Sequence, residues 1–233
     1  MEINRDLIRE AMKEGYSFYQ MNGKLVIRRA GGFKKGDLKN DPKYSKVTQN
    51  ASEFGRCSRM GKLLRTALET ELKNIQDKNI HRRIAKLLHD IMKCDTESEA
   101  GKKTTEKGLS KTEGLTLMKN FVWNDYDHSA VHFDPEKLSL LFTKIPKQTA
   151  HFSAEWKNID TDMVNNTYQV TEQNLKIQPM DKKKTYSFKK RLDHPQNLMQ
   201  FLIVHFFDGN GIEIPQSCHI EYVEAKTFMQ SLF

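Results

Sequence analysis

Apolar residues recur along this chain at two different spacings, and the spacing changes near residue 138. In the segments 52–75 and 80–92 they return every three or four residues, as they do on one face of a helix. The connection 76–79 is short enough for the two helices to form an antiparallel pair. The front part of the chain is therefore expected to be helical.

A β-hairpin is expected ahead of these helices, over residues 16–29. Two short apolar runs flank Asn22 and Gly23, a pair that readily adopts the positive φ angles of a tight two-residue turn. After the second helix, the polar segment 95–108 is expected to be a mobile loop. The spacing of Ser110 and Glu113 is that of a capping box and predicts a short helix there.

The part of the chain after residue 138 has the pattern of short strands separated by turns, which is typical of a β-sandwich. The segment 201–207 is strongly apolar, with apolar residues on both faces, and is expected to be the central strand, followed by a turn at 208–211. The predicted fold class is α+β, with an N-terminal β-hairpin and an antiparallel helix pair in a region 1–137, and an Ig-like or C2-like β-sandwich in a domain 138–233. The expected strands are 138–142, 150–156, 167–170, 185–188, 199–207 and 219–223.

The charge of the chain is unevenly distributed. The net charge is +8, but residues 24–93 alone hold 18 Lys and Arg against 7 Asp and Glu, a net of +11. The rest of the chain therefore carries a net of −3. Such asymmetry permits binding to nucleic acid, to an acidic protein or to an anionic surface.

Basic residues of the 24–93 segment are the candidate contacts for a partner. In the loop they alternate with Phe33 and Tyr44, and phosphate neutralisation combined with aromatic stacking is how single-stranded nucleic acid is commonly held. On the first helix they step by three and spread around half of its circumference, which argues against a groove-reading helix. The alternative is a solvated basic surface. The candidates are Arg28, Arg29, Lys34, Lys35, Lys43, Arg56, Arg59, Lys62 and Arg65.

No set of residues indicates catalysis or a cofactor. The three cysteines are far apart; Cys57 and Cys94 fall at or near apolar helical positions, where burial would make a thiol unreactive. Cys218 and His219 are neighbours on an expected strand and should point to opposite faces. A weak metal alternative is Asp127, His128 and His132, because histidines four apart align on a helix, although the segment looks like a turn.

The block 50–65 contains the motifs Asn50-Ala-Ser-Glu53-Phe54-Gly55 and Gly61-Lys-Leu-Leu-Arg65, preceded by Asp41-Pro-Lys-Tyr44. With the Asn22-Gly23 hairpin ending near Arg28 and a late Asn210-Gly211 turn, it resembles an uncharacterised family of bacterial proteins. Gln49 departs from the charged residue expected there. The resemblance implies a two-part layout and no activity. A fainter likeness connects the hairpin with bacterial proteins that have Ig-like sandwiches.

The same block has a simple packing interpretation. Glu53 is expected in the first helical turn, where the helix dipole favours a carboxylate, and Phe54 is expected to begin the apolar face. Gly55 and Gly61 would allow close backbone approach to the neighbouring hairpin, or docking of this helix on a second copy of the chain.

These observations favour a non-enzymatic structural or interaction protein whose basic N-terminal part docks to a protein partner or to itself. The alternatives are a nucleic-acid-binding protein that uses the 24–93 surface and a metal-dependent hydrolase. With no apolar signal segment and no apolar run long enough to span a bilayer, a cytoplasmic protein without a membrane partner is expected.

Overall fold

The computed structural model describes residues 5–21, 23–29, 41–125, 127, 129–181, 184–189 and 198–223. The chain divides into two compact units, Met1–Thr48 and Gln49–Phe233. The boundary expected after residue 137 does not coincide with this division. As predicted, the described residues combine helices with antiparallel sheets and include an N-terminal hairpin.

The first unit contains one helix and the expected hairpin. Helix α1 (Arg5–Lys13) is followed by strands β1 (Tyr16–Met21) and β2 (Lys24–Arg29). Met21 pairs with Lys24, so the turn has two residues, and Gly23 has a φ of +74°. This is the geometry for which an Asn-Gly pair is favoured, although Asn22 lies outside the described residues.

Five helices follow, and the single helix expected over 52–75 is interrupted. Leu68 leaves helical geometry, with φ −110° and ψ 24°, and separates the second helix from the third. The apolar pattern continues through the break because Leu64, Leu68 and Leu72 all pack in one hydrophobic cluster. The helices are α2 (Ser45–Ala67), α3 (Glu69–Ile75), α4 (Ile80–Lys93), α5 (Thr105–Leu109) and α6 (Thr112–Lys119).

Helices α2 and α4 pack against each other in opposite directions. Cys57 Sγ lies 3.3 Å from Met92 Sδ, and one turn later a Cβ at Gly61 would lie 3.4 Å from Leu88 Cδ1. Later residues of α2 therefore meet earlier residues of α4, which confirms the antiparallel pair.

The connection expected to be a mobile loop is held in place by a buried carboxylate. Asp95 accepts hydrogen bonds from the backbone N–H groups of Glu97, Ser98 and Thr104. Burial would raise the pKa of Asp95, but these hydrogen bonds lower it below its usual value. The predicted capping box does not form, because Lys111 is the N-cap of α6 and the Ser110 hydroxyl donates to the carbonyl of Lys107 in α5.

The strands of the second unit form two antiparallel sheets, one of three strands in the order β3-β4-β7 and one of four in the order β6-β5-β8-β9. Strand β8 is one of the two internal strands of the larger sheet, which agrees with its apolar sequence. Strand β3 is not among the expected strands, and β6 is far longer than expected. The strands are β3 (Ala130–Asp134), β4 (Ser139–Lys144), β5 (His151–Asp162), β6 (Thr167–Pro179), β7 (Tyr186–Ser187), β8 (Leu198–Phe207) and β9 (His219–Val223).

The four-stranded sheet is covered on both faces. Leu202 and Phe206 of β8 pack with the three-stranded sheet, whereas Phe201 and Ile203 pack with helices α2 to α6. Alternate residues of a strand point to opposite faces, so β8 contributes to two separate cores. The helices and the four-stranded sheet of the second unit therefore share one of these cores.

Two glycines allow α5 and α6 to approach their neighbours closely. A Cβ at Gly108 would lie 2.0 Å from the backbone oxygen of Ile91, and a Cβ at Gly114 would lie 2.0 Å from the oxygen of Gly108. We expect Gly108→Ala to lower the free energy of unfolding by roughly 2–4 kcal/mol, because backbone must move to admit a methyl group.

Gly55→Ala is the matched control, measured by the same urea unfolding. It lies inside α2, and no atom of another element lies within 4 Å of its Cβ position. Alanine is the better helix former, so this variant should be stabilised by roughly 0.5–1 kcal/mol. Equal stability of the two variants would contradict the packing described for α5.

Candidate functional site

The basic candidates in the first unit are partly engaged within it. Arg28 Nε donates a hydrogen bond to Ser17 Oγ at 3.3 Å, and its guanidinium lies 5.5 Å from the centre of the Tyr19 ring. Lys43 Nζ lies 2.6 Å from Asp41 Oδ2. The side chain of Arg29 is exposed. Outside the described residues lie Lys34 and Lys35.

Arg56 holds a loop instead of facing a partner. Its guanidinium donates to the backbone oxygens of Lys103, at 3.0 Å, and of Gly101. Glu53 Oε1 accepts the backbone N–H of Gly101 at 2.7 Å. Glu53 was expected in the first turn of its helix, but α2 begins at Ser45, and the two charged residues together fix the 101–103 segment.

Three further basic residues of α2 and three of α4 form an outward surface, here called the basic face. Both helices bury their apolar sides in the same hydrophobic cluster, so their exposed residues lie away from it. Residues 49–67 and 80–93 contain eight Lys and Arg and only two acidic residues. The basic face consists of Arg59, Lys62, Arg65, Arg82, Lys86 and Lys93, of which only Arg65 is half-buried.

Phe54 does not begin the apolar face as expected; its side chain is 60 % exposed. The reason is geometric, because Cys57 already meets Met92 near the end of α4, and one turn earlier no residue of α4 remains to cover Phe54. Gly61 lies close to Leu88 of α4, whereas no atom of another element lies within 4 Å of the Cβ position of Gly55. Asn50 is exposed.

The weak metal alternative is not assembled as expected. His132 is exposed in strand β3 and not on a helix, and His128 lies outside the described residues. The Asp127 carboxylate accepts a hydrogen bond from His219 Nδ1 of β9 at 2.5 Å. Within the described ranges, the one group of three residues with ligand atoms close enough for a metal ion is a different one, Glu71, Glu155 and His205.

These three residues belong to a set, here called the polar cluster, that lies where α3 meets the helical face of the four-stranded sheet. Alternation along β5 places Glu155 and Lys157 on one face, and His205 pairs opposite Ser153, which shares that face. The cluster consists of Glu71 from α3, Glu155 and Lys157 from β5, Glu172 from β6, His205 from β8 and Glu213 beyond β8.

Lys157 is the centre of the polar cluster. Its Nζ lies 2.6 Å from Glu71 Oε1, 3.3 Å from Glu155 Oε2 and 3.8 Å from Glu172 Oε2. Burial would lower the pKa of Lys157, but the hydrogen bond and charge of Glu71, followed by those of Glu155, raise it above its usual value. The ammonium therefore stays charged and compensates buried carboxylate.

His205 forms the second part of the cluster. Its Nδ1 lies 2.6 Å from Glu213 Oε1, which also accepts a hydrogen bond from Asn74 Nδ2 at 2.8 Å. Burial would lower the pKa of His205, whereas the bond to Glu213 raises it above its usual value. Because a carboxylate only accepts hydrogen bonds, Nδ1 carries the proton and Nε2 is the nitrogen left without one in the neutral ring.

The polar cluster has more negative than positive charge. Four carboxylates face one lysine and one histidine, so two negative charges remain even when the histidine is protonated. Glu71 Oε2 is buried and has no hydrogen-bond partner among the described residues. Such an arrangement is suited to holding a cation, since an unpaired buried carboxylate oxygen is strongly unfavourable.

The thiols do not contribute a nucleophile to this cluster. Cys57 and Cys218 are buried, and burial raises the pKa of both thiols, that of Cys218 well above its usual value. The prediction that Cys57 is an unreactive buried residue is thus consistent with its surroundings.

A second polar contact lies around His219. Nδ1 contacts Asp127 and is 3.1 Å from Ser129 Oγ, while Nε2 is 3.7 Å from Glu221 Oε2. Burial would lower the pKa of His219, but the hydrogen bond to Asp127 and the nearby negative charge of Glu221 raise it to about 9. The histidine is therefore protonated at neutral pH and joins β9 to the segment before β3.

Sequence reasoning missed the polar cluster because its members come from segments up to 142 residues apart, Glu71 and Glu213. The available signal was Lys157 directly after a buried Trp156, and His205 inside an otherwise apolar strand. A charged residue at such a position must find a partner.

No protein-family model, no curated protein and no solved structure matches this chain. Across the described part of the chain, none of the helices is both long and apolar enough to cross a membrane.

Removing the lysine of the cluster should be strongly destabilising. We expect Lys157→Met to lower the free energy of unfolding by roughly 3–5 kcal/mol, because Glu71 then remains buried without a counter-ion. The double variant with Glu71→Gln should recover part of this loss in a double-mutant cycle. Glu172→Gln is the control, since Glu172 is 42 % exposed and 3.8 Å away. A Lys157→Met variant as stable as the parent would contradict the ion-pair geometry.

The raised pKa of His219 predicts a pH-dependent stability. The folded protein holds this proton up to about pH 9, whereas the unfolded chain releases it near pH 6.5, so raising the pH through this window favours unfolding. The contribution, roughly 3 kcal/mol, is complete below pH 6.5 and lost above pH 9. His219→Asn, which retains a donor for Asp127, should remove this part of the slope in urea unfolding at several pH values. If the dependence of stability on pH is the same in this variant, the pH effect does not come from His219.

Proposed function

We propose that this chain is a non-enzymatic interaction or assembly protein whose basic N-terminal part docks to an acidic surface of a protein partner. The observation that carries the proposal is the basic face, which places five exposed basic side chains and one half-buried arginine on the outside of α2 and α4. Six like charges with so few neighbouring carboxylates attract an anionic surface and repel a cationic one.

Phe54 supports a protein partner in particular. It is a large exposed aromatic residue on the same helix as Arg59, Lys62 and Arg65. Residues 54, 58, 62 and 65 follow a spacing of three or four, so Phe54, Lys62 and Arg65 lie along one side of α2. Protein interfaces commonly combine an aromatic anchor with a charged rim.

The remainder of the second unit acts in this proposal as a rigid module that presents the basic face. The same proposal includes three further points. The two sheets have an Ig-like or C2-like character, the chain has a place in the bacterial family that the 50–65 block resembles, and its location is cytoplasmic. None of them implies a reaction.

A photo-crosslinking amino acid at Phe54 tests the docking surface in cells that naturally make the protein. The same amino acid at Val164, which is 94 % exposed in the β5–β6 turn, is the control. We expect one adduct from position 54 and none from 164. Lys62→Glu with Arg65→Glu should weaken binding of the identified, purified partner about tenfold, because two attractive charges become repulsive.

Light scattering distinguishes a second copy of the chain from another protein as the partner. A strict monomer that gives no adduct at position 54 would overturn the proposal. If the charge-reversed variant binds the partner as tightly as the parent protein in low salt, the basic face is not part of the docking surface.

Nucleic acid is the second candidate, favoured by the hairpin of the first unit. Residues 16–29 contain three basic residues and no acidic residue, and the rings of Tyr16 and Tyr19 are exposed. Exposed rings beside arginines suit stacking on unpaired bases. Fluorescence anisotropy with labelled single-stranded DNA and RNA should then show affinity that falls steeply with salt and with Arg28→Glu plus Arg29→Glu. No binding at low salt would eliminate this candidate.

A further inference from the structure

We propose that Glu71, Glu155 and His205 bind one divalent transition-metal ion, for which Zn²⁺ is a suitable probe. Each residue offers one ligand atom, and these three atoms lie within 4.8 Å of one another. The residues come from α3, β5 and β8, so an ion there would join the helical layer to two strands of the sheet. This inference is independent of the docking surface.

Glu71 provides the observation that a cluster of carboxylates alone would lack. Its side chain is 3 % exposed, its Oε1 accepts the Lys157 ammonium, and its Oε2 has no partner within the described residues. The carboxylate therefore points into the polar cluster with one buried oxygen unused. A metal ion would supply the missing interaction of that oxygen.

His205 is oriented as metal-binding histidines commonly are. Its Nδ1–H donates to Glu213 Oε1, and Asn74 holds the same oxygen. A ligating histidine usually donates its other ring N–H to a carboxylate or carbonyl, which fixes the ring and increases the basicity of the free nitrogen. Here Nε2 is that free nitrogen, so Glu213 and Asn74 are positioning residues.

The ligand types select the class of metal. Two carboxylates and one imidazole suit Zn²⁺ and neighbouring first-row divalent ions, whereas Ca²⁺ and Mg²⁺ favour oxygen ligands alone. The two uncompensated negative charges of the cluster also favour a divalent cation over a neutral ligand.

Lys157 is the built-in competitor for the site. Its ammonium now contacts Glu71 and Glu155, two of the three proposed ligands. On metal binding it would leave them, and Glu172, 3.8 Å from Nζ and close to solvent, offers it another carboxylate. Removing this ammonium should therefore strengthen metal binding even though it destabilises the metal-free protein.

The test is a Zn²⁺ titration of the tag-free, chelator-treated full chain against a chromogenic chelator. We expect one equivalent to bind, and Glu71→Gln and His205→Gln to weaken affinity at least about tenfold. The control is His132→Gln, a substitution of an exposed histidine outside the cluster, which should bind like the parent protein. Absence of stoichiometric binding, or equal affinity in the two ligand variants, would overturn the proposal.

Two further measurements keep the result decisive if the ligand variants do not fold. X-ray absorption of the parent protein with one equivalent of Zn²⁺ should show nitrogen and oxygen ligands without sulfur, and sulfur ligands would contradict the site. Lys157→Met should bind Zn²⁺ more tightly than the parent and regain thermal stability with the metal, as ligand linkage requires. If Lys157→Met binds Zn²⁺ no more tightly than the parent, the polar cluster is an ion-pair network and not a metal site.

Discussion

The four-stranded sheet is apolar on both faces, and each face has to be removed from water by another layer. Strand β8 shows this requirement most clearly, because Phe201 and Ile203 face the helices while Leu202 and Phe206 face the three-stranded sheet. Burial of such side chains is the main favourable term in folding. The helices are therefore part of the same folded unit as the sheet, although they precede it along the chain.

The polar cluster lies on this same buried face, which explains both its geometry and its chemistry. Lys157 and His205 occupy positions where apolar residues would otherwise be expected, so each needs a partner of opposite charge. Helix α3 supplies Glu71 and Asn74 only because the chain breaks from α2 at Leu68. A local interruption in one helix thus assembles a charged group from four elements and leaves it with an excess of negative charge.

Features governed by neighbouring residues were predictable from the sequence, and features governed by distant ones were not. The hairpin turn at Gly23 and the central position of β8 depend on local φ preference and on an uninterrupted apolar run. The break at Leu68, the exposure of Phe54 and the close approach at Gly108 depend on what another element places beside them. The long polar connection after α4 was misread as mobile because the binding of Asp95 to three backbone groups leaves no pattern in the sequence.

The same distinction between local and long-range features separates the basic face from the polar cluster. The basic face was recognisable in the sequence as an excess of Lys and Arg. The structure changed which residues belong to it, since the Arg56 side chain binds a loop instead. The polar cluster was invisible, because no spacing rule connects residues 71, 155 and 205. The clearest indication was His205, which interrupts the apolar run 201–207 and had to find a polar partner elsewhere.

The shared core also has a consequence for how the protein is made. The ribosome releases α2 to α6 before it has synthesised Phe201 or Tyr222, which complete the hydrophobic cluster of those helices. At typical elongation rates, the roughly 100 intervening residues take of the order of 5–20 s to translate. During that time the apolar face of the nascent helical layer lacks the sheet residues that cover it in the folded protein.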